Sequence, residues 1–507
     1  MDLLDLFMRE DLERAGLGHE TQTTWRDGPC PPQSLLEYLK EVRKHLLVRE
    51  PPSSQCSRNR AVKSAQKLAR HVAVGMSIKK VHEVGLFAQY LNRLRTSIKE
   101  STSVEVSHLV DFGSGQNYLG RALASEPYNQ SIVAIESKSH NAERARELDI
   151  LSKLATKEKV MVDKKAFRGE KEGPTVPSSL PTPPPEVVPP TVADGTLDPS
   201  IEASSDAKGR VQYVEHRIQD GDLQDVIQRI EEPSPRLMVM SLHSCGNLVH
   251  HGLRSLVLNP SVRVVAMVGC CYNLLTERLG PPTYKLPELR PAHPRLQKTR
   301  EARDPHGFPM SERLCTYGAG NQGVRLNITA RMMAVQAPQN WGEKDSDAFF
   351  TRHFYRALLQ RIFLDRGIVG PPSEECVGGS PSGHSSGTPI VLGSLKKSCH
   401  ANFVTYVRGA LAKLCGNDEM GSLFREKMDG MTDEEIADYE DGYRERKKEL
   451  SVIWSLMAFS AGVVEATIVV DRWLWLKEQE EVKEAWVEPI FDYRLSPRNL
   501  VVVGVKK

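Results

Sequence analysis

The spacing of apolar positions changes at about residue 105. Before that point apolar residues recur every three or four positions in LLEYLKEVRKHLL and KKVHEVGLFAQYLNRL, which predicts amphipathic helices within residues 1–100. After it, the runs HLVDF, SIVAIE, VQYVEH, RLMVMSLH and VRVVAMVGC have the length and β-branched content of strands buried on both faces. The pattern therefore predicts a helical region followed by a buried sheet.

Helical segments separate the predicted strands. They are YLGRALAS, NAERARELDILSKL, LQDVIQRI and LVHHGLRSL. Strands and helices that alternate in this way form βαβ units, and βαβ units build a parallel sheet. The predicted fold class is therefore α/β, with a Rossmann-like parallel sheet in a core of residues 101–335.

Two segments interrupt the pattern through their composition. Residues 173–208 are rich in Pro, Ser, Thr and Ala, and too few large apolar side chains remain to offset the entropy of ordering them. We expect a disordered insertion there. A second low-complexity loop, residues 371–389, lies inside a predicted helical insertion of residues 336–480. In this insertion, the spacing of Thr432 and Glu435 predicts a capping box for a helix through Tyr443. EAWVEPIF and NLVVVGV, in residues 481–507, predict a strand hairpin that completes the sheet.

The first predicted strand ends in the turn VDFGSGQNYL, and a helix follows it. Glycines at a strand-to-helix turn let the backbone approach a ligand closely, and the helix N-terminus offers unpaired amides. Glu136 ends the second strand, 21 residues after Gly115, where an acid can accept hydrogen bonds from ribose hydroxyls. The sequence therefore predicts a nucleotide-type cofactor site at Asp111, Gly113, Gly115 and Glu136.

Two classes of cofactor use such a turn. Nicotinamide and flavin enzymes require a glycine where this chain has Tyr118, because the helix packs closely there. The acid at Asp111 and the bulky Tyr118 favour S-adenosylmethionine, which has no pyrophosphate. Asp222, after the third strand, lies where methyltransferases usually carry an acid near the adenine amino group. Asp220 or Asp222 can equally be an N-cap for the next helix.

The fourth and fifth predicted strands end in LHSCGN and GCCYN, where an acceptor would approach the cofactor. His243 is the titratable group at this point and our candidate catalytic residue, although it can also serve only as a hydrogen-bonding residue of the turn. Cys270 and Cys271 are interpreted as buried small residues, so no metal site is expected. No N-P-P-Y sequence follows the fourth strand, which disfavours N-methylation of a base.

Six stretches together resemble the methyltransferase-like protein 25 family, also labelled as ribosomal RNA adenine dimethylase domain containing proteins. They are GMSIKKVHEV, VDFGSGQNYL, SLHSCGNL, VGCCYNLLTE, GFPMSERL and SPRNLVVV. The resemblance implies a class I methyltransferase domain that uses S-adenosylmethionine, with cofactor roles for Asp111, Gly113, Gly115 and Glu136. A further glycine is usual where Asn117 stands, and Asn tolerates left-handed backbone better than other non-glycine residues.

Charge and similarity suggest two kinds of acceptor. With 67 Lys and Arg against 65 Asp and Glu, the formal net charge of +2 indicates no general attraction to nucleic acid or membranes. Basic residues do predominate in residues 285–306 and can contact phosphates. LHSCG and the Cys-Cys pair also resemble a tRNA 2′-O-methyltransferase family, in which His-His stands at the positions of Tyr272 and Asn273. The acceptor is therefore expected on RNA or on protein.

The remaining sequence features concern the cellular compartment, a possible membrane span and a non-catalytic alternative. The nine cysteines form no C-x-x-C pair, and the N-terminus has no features of a leader, so we expect free thiols in the cytoplasm or nucleus. The apolar stretch 452–476 includes Glu465, Asp471 and Arg472, which favours a buried helix over a membrane span. A competing hypothesis is a catalytically inactive cofactor-binding module that recruits a partner through its helical insertion.

Overall fold

The computed structural model of the chain describes residues 31–50, 68–156, 209–279, 304–370, 392–416 and 421–507, and isolated positions before residue 31 and at residue 390. The predicted disordered segment 173–208, the loop 371–389 and most of the basic loop 285–306 lie outside the described residues. The architecture below refers to the described ranges.

Seven strands form the central sheet. They are β1 (His108–Phe112), β2 (Ser131–Glu136), β3 (Arg210–Glu215), β4 (Leu237–Cys245), β5 (Val262–Cys271), β6 (Val482–Pro489) and β7 (Leu500–Lys506). Their order is β3-β2-β1-β4-β5-β7-β6; β1 to β5 are mutually parallel, and β7 is antiparallel to both β5 and β6. This confirms the predicted Rossmann-like sheet and the C-terminal hairpin. A separate pair of two-residue strands joins Thr24–Trp25 to Gly28–Pro29.

Helices cover both faces of the sheet and form a separate module. They are α1 (Gln33–Lys44), α2 (Ile78–Thr102), α3 (Tyr118–Ala124), α4 (Ser139–Leu151), α5 (Gln224–Ile227), α6 (Leu248–Leu258), α7 (Glu312–Cys315), α8 (Ile328–Met333), α9 (Glu343–Asp365), α10 (Phe403–Leu414), α11 (Gly421–Met428), α12 (Asp433–Gly442) and α13 (Arg446–Lys477). Short 3-10 turns lie at Tyr272–Leu274, Ala319–Asn321, Pro338–Asn340 and Lys397–His400.

The central strands are mostly apolar because both faces of the sheet are covered. In β1, Val110 and Phe112 pack into a core with α6 and α13, whereas Leu109 packs into a second core with α2 and α3. Successive side chains of a strand point to opposite faces, so a strand between two helical layers needs apolar residues at every position. Strand β1 is accordingly buried at all five positions.

Helix α2 packs against the strands in the second core. The Ser77 side chain accepts a hydrogen bond from the Lys80 amide at 3.3 Å and so caps the N-terminus of the helix. Phe87 and Leu91, one turn apart, are fully buried against the sheet. Burial of a side chain of this size stabilises the fold by about 1.5–3 kcal/mol, so Phe87→Ala would disrupt the packing of the whole helix.

Helices α9 to α12 pack around a core of their own, which includes Phe363, Phe403 and Ile436 and is separate from the two cores of the sheet. The α12 N-terminus has a capping box: the Thr432 hydroxyl accepts from the Glu435 amide at 3.2 Å, and the Glu435 carboxylate accepts from the Thr432 amide at 3.0 Å. This is the capping box that the sequence predicts.

Helix α13 connects this module to the sheet. In the described part of the chain it is the one helix long and apolar enough to cross a membrane by length and composition. Its charged residues, however, have partners inside the protein: Glu465 accepts from the Tyr272 hydroxyl at 2.9 Å, and Asp471 accepts from the Ser311 hydroxyl at 2.7 Å. Ile468 packs into the core of the sheet. The helix is therefore a core element of this fold.

Candidate active site

The strand order places a crevice at the carboxyl ends of β1 and β4. Chain connections run from β1 toward β2 and β3 on one side, and the chain returns to β4 on the other side of β1. Ligands of open α/β sheets bind at such a point, where the order of strands reverses. The glycine turn after β1, Glu136 at the end of β2 and His243 near the end of β4 all lie at this edge.

The glycine turn has left-handed backbone at three positions. The φ angles are +67° at Gly113, +57° at Gly115 and +52° at Asn117, so Asn117 occupies the conformation expected for a replaced glycine. A Cβ atom at Gly113 would lie 2.9 Å from Leu248 Cδ2, whereas one at Gly115 would meet no atom within 4 Å. Gly113 thus allows close packing, and Gly115 borders open space in which a ligand fits.

Glu136 holds the turn against the end of β2. Its Oε2 accepts a hydrogen bond from the Gly115 amide at 2.9 Å, and its Oε1 accepts from the Ser137 and Lys138 amides, each at 2.9 Å. The side chain is therefore fixed in direction by three backbone amides. The structure brings Glu136 and Gly115 together as the sequence spacing predicts.

Asp111 is buried beneath the turn, with 3% of its surface exposed. No described residue donates a hydrogen bond to its carboxyl group. Burial and, as a smaller cause, the charge of Glu136 together raise the pKa of Asp111 to about 8. The group is consequently protonated at neutral pH, and a cation bound nearby would favour its ionised form.

A buried polar network supports the turn from below. The Asn117 side-chain amide donates to the Tyr213 hydroxyl at 3.0 Å, and Tyr213 in turn bonds to Asp149. The guanidinium of Arg121 donates to the same carboxylate at 2.9 Å. Because Tyr213 belongs to β3 and Asp149 to α4, the network fixes the start of α3 to both neighbouring elements.

The loop that contains Asp222 packs against helix α6. The Asp222 carboxylate is exposed and accepts from the Gln224 amide at 2.9 Å. The adjoining residues Gly221 and Leu223 bond to Asn259, the residue after the C-terminus of α6. The N-cap position of α5 is Leu223, which makes no side-chain cap bond, so the Asp222 contact is a local turn contact. The cofactor role of Asp222 stays a prediction.

His243 lies at an irregularity near the end of β4. The register between β4 and β5 shifts between Leu242 and Ser244, and His243 itself has a φ of +68°. Such strain in a non-glycine residue persists where the surroundings enforce it, often at functional sites. The imidazole Nε2 lies 2.8 Å from Glu83 Oε2, and Nδ1 has no hydrogen-bond partner among the described residues. The side chain is 29% exposed.

Glu83 on α2 is the partner that sequence reasoning missed. It is 1% exposed and also accepts from the Ser496 hydroxyl at 2.7 Å. Burial by itself raises the pKa of Glu83, but the hydrogen bond and charge of His243, the Ser496 bond and the charge of Lys80 outweigh it and lower the pKa to about 2. Glu83 is therefore a carboxylate at neutral pH and accepts the proton on Nε2. Its position in the GMSIKKVHEV stretch was the available signal.

Three cysteines meet beside His243. Cys245 ends β4 and is exposed, while Cys270 and Cys271 end β5 and are partly buried rather than fully buried. Hydrogen bonds from the other two thiols lower the pKa of Cys271. Sequence reasoning treated Cys270 and Cys271 as packing residues because Cys245 is distant from them in the chain.

The sheet order and the glycine turn agree with a comparison to known protein families. Residues 79–278 match a family model described as a methyltransferase domain. The Rossmann-like sheet and this match are consistent with a methyltransferase fold over these residues.

The chain is also similar to two proteins described as probable methyltransferase-like protein 25. It is 29% identical to the Mus musculus protein over 293 residues, which cover 57% of this chain and 40% of that protein. It is 30% identical to the Homo sapiens protein over 293 residues, which cover 57% of this chain and 39% of that protein. Over the matched region, the similarity agrees with the family resemblance that the motifs carry. The chain spans about two fifths of the length of these relatives.

Proposed function

We propose that this chain transfers a methyl group from S-adenosylmethionine to an acceptor on RNA or protein. The observation that carries the proposal is a glycine turn fixed by Glu136 at the same sheet edge as a histidine paired with a buried carboxylate. The first feature suits a nucleoside-containing cofactor, and the second suits proton removal from an acceptor. The methyltransferase domain match supports both assignments.

The residues of the glycine turn fit this cofactor. Open space in front of Gly115 leaves room for a ligand, and the unpaired carboxyl of Asp111 favours a cationic one. Glu136 is positioned to accept hydrogen bonds from ribose hydroxyls with its remaining lone pairs. When bound, S-adenosylmethionine supplies an electrophilic methyl group on a positively charged sulfur. Tyr118 at the fingerprint position disfavours a nicotinamide cofactor.

On the acceptor side, Glu83 orients His243. The Glu83 carboxylate accepts the Nε2 proton, which leaves a lone pair on Nδ1 of the neutral imidazole. In the proposed reaction, Nδ1 removes a proton from an acceptor hydroxyl or amine. A positioned general base of this kind contributes roughly 10²- to 10⁴-fold to the rate, and alignment of the acceptor contributes separately.

The proposal of an RNA acceptor rests on a basic loop that lies mostly outside the described ranges. The basic loop 285–306 would contact phosphates if the acceptor is RNA, and the binding would then weaken with salt. A protein acceptor is the other outcome of the experiment. The free thiols at the described cysteines support the proposed cytoplasmic or nuclear compartment.

Transfer of a labelled methyl group tests the proposal. The purified chain is incubated with methyl-labelled S-adenosylmethionine and a cell lysate, and the label is followed after nuclease or protease treatment. We expect label in one fraction, and its release by only one of the two digestions identifies RNA or protein. A chain that binds the cofactor but transfers no label to either fraction would instead support the inactive binding module.

A further inference from the structure

The carboxyl ends of β4 and β5 bring three thiols within contact of one another. The Sγ atoms of Cys245 and Cys271 lie 3.1 Å apart, those of Cys270 and Cys271 lie 3.4 Å apart, and those of Cys245 and Cys270 lie 3.6 Å apart. We call these three residues the thiol cluster. The described residues contain no other group of three His, Cys, Asp or Glu side chains that converges in this way.

Two backbone irregularities produce the cluster. Neighbouring residues of a strand normally point to opposite faces, so Cys270 and Cys271 would be expected to diverge. Strand β5 leaves the extended conformation at Cys271, where ψ is 72° before the turn Tyr272–Leu274. On β4 the register shifts between Ser244 and Cys245, and this shift places Cys245 opposite Cys271. Irregularities at a strand end commonly redirect side chains toward a site.

A buried positive charge lies beneath the cluster. Arg472 is 1% exposed, and a Cβ atom at Gly269 would lie 2.6 Å from its Nη1, so the guanidinium packs directly against the strand before Cys270. Its Nε has no hydrogen-bond partner in the described part of the chain. A buried cation with an unpaired donor is costly unless negative charge lies nearby. The charges of Asp471 and Glu465 act on this guanidinium, and thiolates in the cluster would add negative charge beside it.

We propose that Cys245, Cys270 and Cys271 bind a zinc ion through three thiolates, with one coordination position open. A Zn–S distance of about 2.3 Å in a tetrahedral site separates the sulfurs by about 3.8 Å, so the observed spacings of 3.1, 3.4 and 3.6 Å would each expand by less than about 1 Å. Cys245 is exposed, and the open position therefore faces solvent. Three protein ligands and an open position are typical of zinc sites that take part in chemistry.

A single disulfide accounts for the cluster less well. Cys245 and Cys271 are register partners on adjacent strands, so a disulfide between them is geometrically feasible. It would use two of the three sulfurs and leave the third beside the buried guanidinium. The zinc site uses all three. It does not depend on the methyltransferase proposal, because metal binding is measured without any acceptor or cofactor.

Cobalt substitution tests the site directly. The full chain is reduced, freed of metal with a chelator and titrated with Co²⁺ without oxygen. We expect thiolate-to-cobalt charge-transfer absorption that saturates at one ion per chain and disappears when Zn²⁺ is added. Cys245→Ser, Cys270→Ser and Cys271→Ser should each lose this absorption. Cys399→Ser, which removes a partly buried thiol in another part of the fold, should retain it.

Alkylation of the cysteines in the unmodified chain tests the zinc site even if the serine variants fail to fold. Zn²⁺ should slow alkylation of the three cluster thiols, mapped by peptide mass spectrometry, while alkylation of Cys399 stays unchanged. Equal alkylation rates with and without Zn²⁺ would overturn the proposal. So would cobalt absorption that survives all three replacements, a site that takes Cu⁺ but excludes Zn²⁺, or a cluster disulfide in a chain without metal affinity.

Discussion

Two buried carboxyl groups at the same edge of the sheet behave in opposite ways. Asp111, on the cofactor side, has no hydrogen-bond partner among the described residues, and burial raises its pKa to about 8. Glu83, on the acceptor side, is equally buried, yet its partners His243, Ser496 and Lys80 overcome burial and lower its pKa to about 2. Partners, rather than depth, decide the charge of a buried acid.

The two acids differ in whether the described residues supply their hydrogen-bond partners. Glu83 is already satisfied by the fold, so it can hold His243 in one orientation before any ligand arrives. Asp111 is neutral and unpaired, and only a bound cation would favour its ionised form. The acceptor side is thus preorganised by the protein, and the cofactor side is completed by its ligand.

The largest effect is expected on the preorganised side. His243→Ala should lower turnover by roughly 10²- to 10⁴-fold and leave cofactor affinity nearly unchanged, because the residue lies across the crevice from the glycine turn. Turnover on the identified acceptor and calorimetric titration with S-adenosylmethionine measure the two quantities. His45→Ala, at an exposed position on another surface, is the control. Full activity of His243→Ala would reduce that histidine to a hydrogen-bonding residue of the turn.

On the proposed cofactor side, Glu136→Ala should weaken cofactor binding. The loss of a charge-assisted acceptor costs about 1.5–3 kcal/mol, or roughly 10- to 150-fold in Kd. Glu143→Ala, an exposed carboxylate on the following helix, should bind normally. We expect neither variant to bind NAD. Unchanged calorimetric affinity in Glu136→Ala would show that the ribose is not at this carboxylate.

The pH dependence of stability sharpens the contrast between the two acids. Glu83 has a folded pKa below its ordinary value of 4.5, so the wild-type chain keeps this stabilisation above about pH 4.5 and loses it as pH falls toward 2. Asp111 has a folded pKa above its ordinary value of 3.8, so the wild-type chain loses stability as pH rises from about 4 to 8. Glu83→Gln and Asp111→Asn should each remove one of these slopes.

Urea unfolding across pH measures both slopes as differences from the wild-type chain. Each difference should change by at least about 1 kcal/mol across its window, since one pKa unit corresponds to ~1.4 kcal/mol. Asp111→Asn should gain relative stability with rising pH, and Glu83→Gln should gain it with falling pH. Two slopes of the same sign would contradict the opposite protonation states.

The smallest effect is expected from removal of residues 173–208. A disordered insertion contributes little to the core, so a short linker in its place should preserve folding and cofactor binding. Both sides of the edge should then behave as in the full chain. Insoluble protein, or lost affinity for S-adenosylmethionine, would show that the segment contributes to the structure.

Much of the fold was predictable because it depends on short-range pattern. The apolar runs predicted the strands, the glycine turn predicted the cofactor side, and the capping box at Thr432 predicted the start of α12. Asp222 was ambiguous because an acid before a helix suits capping and ligand binding equally. In the structure its loop packs against α6, and the cofactor role of Asp222 stays a prediction.

The sequence by itself predicted the α/β fold class and the residues of the proposed cofactor side, because Gly113 and Gly115 act through backbone geometry and Glu136 ends the next strand. The tertiary structure alone decided the acceptor side. Glu83 lies 160 residues before His243 and 413 residues before Ser496, so no local pattern links them. The thiol cluster likewise depends on a register shift and a strand end. Contacts between distant segments form only when the whole sheet and its covering helices pack together.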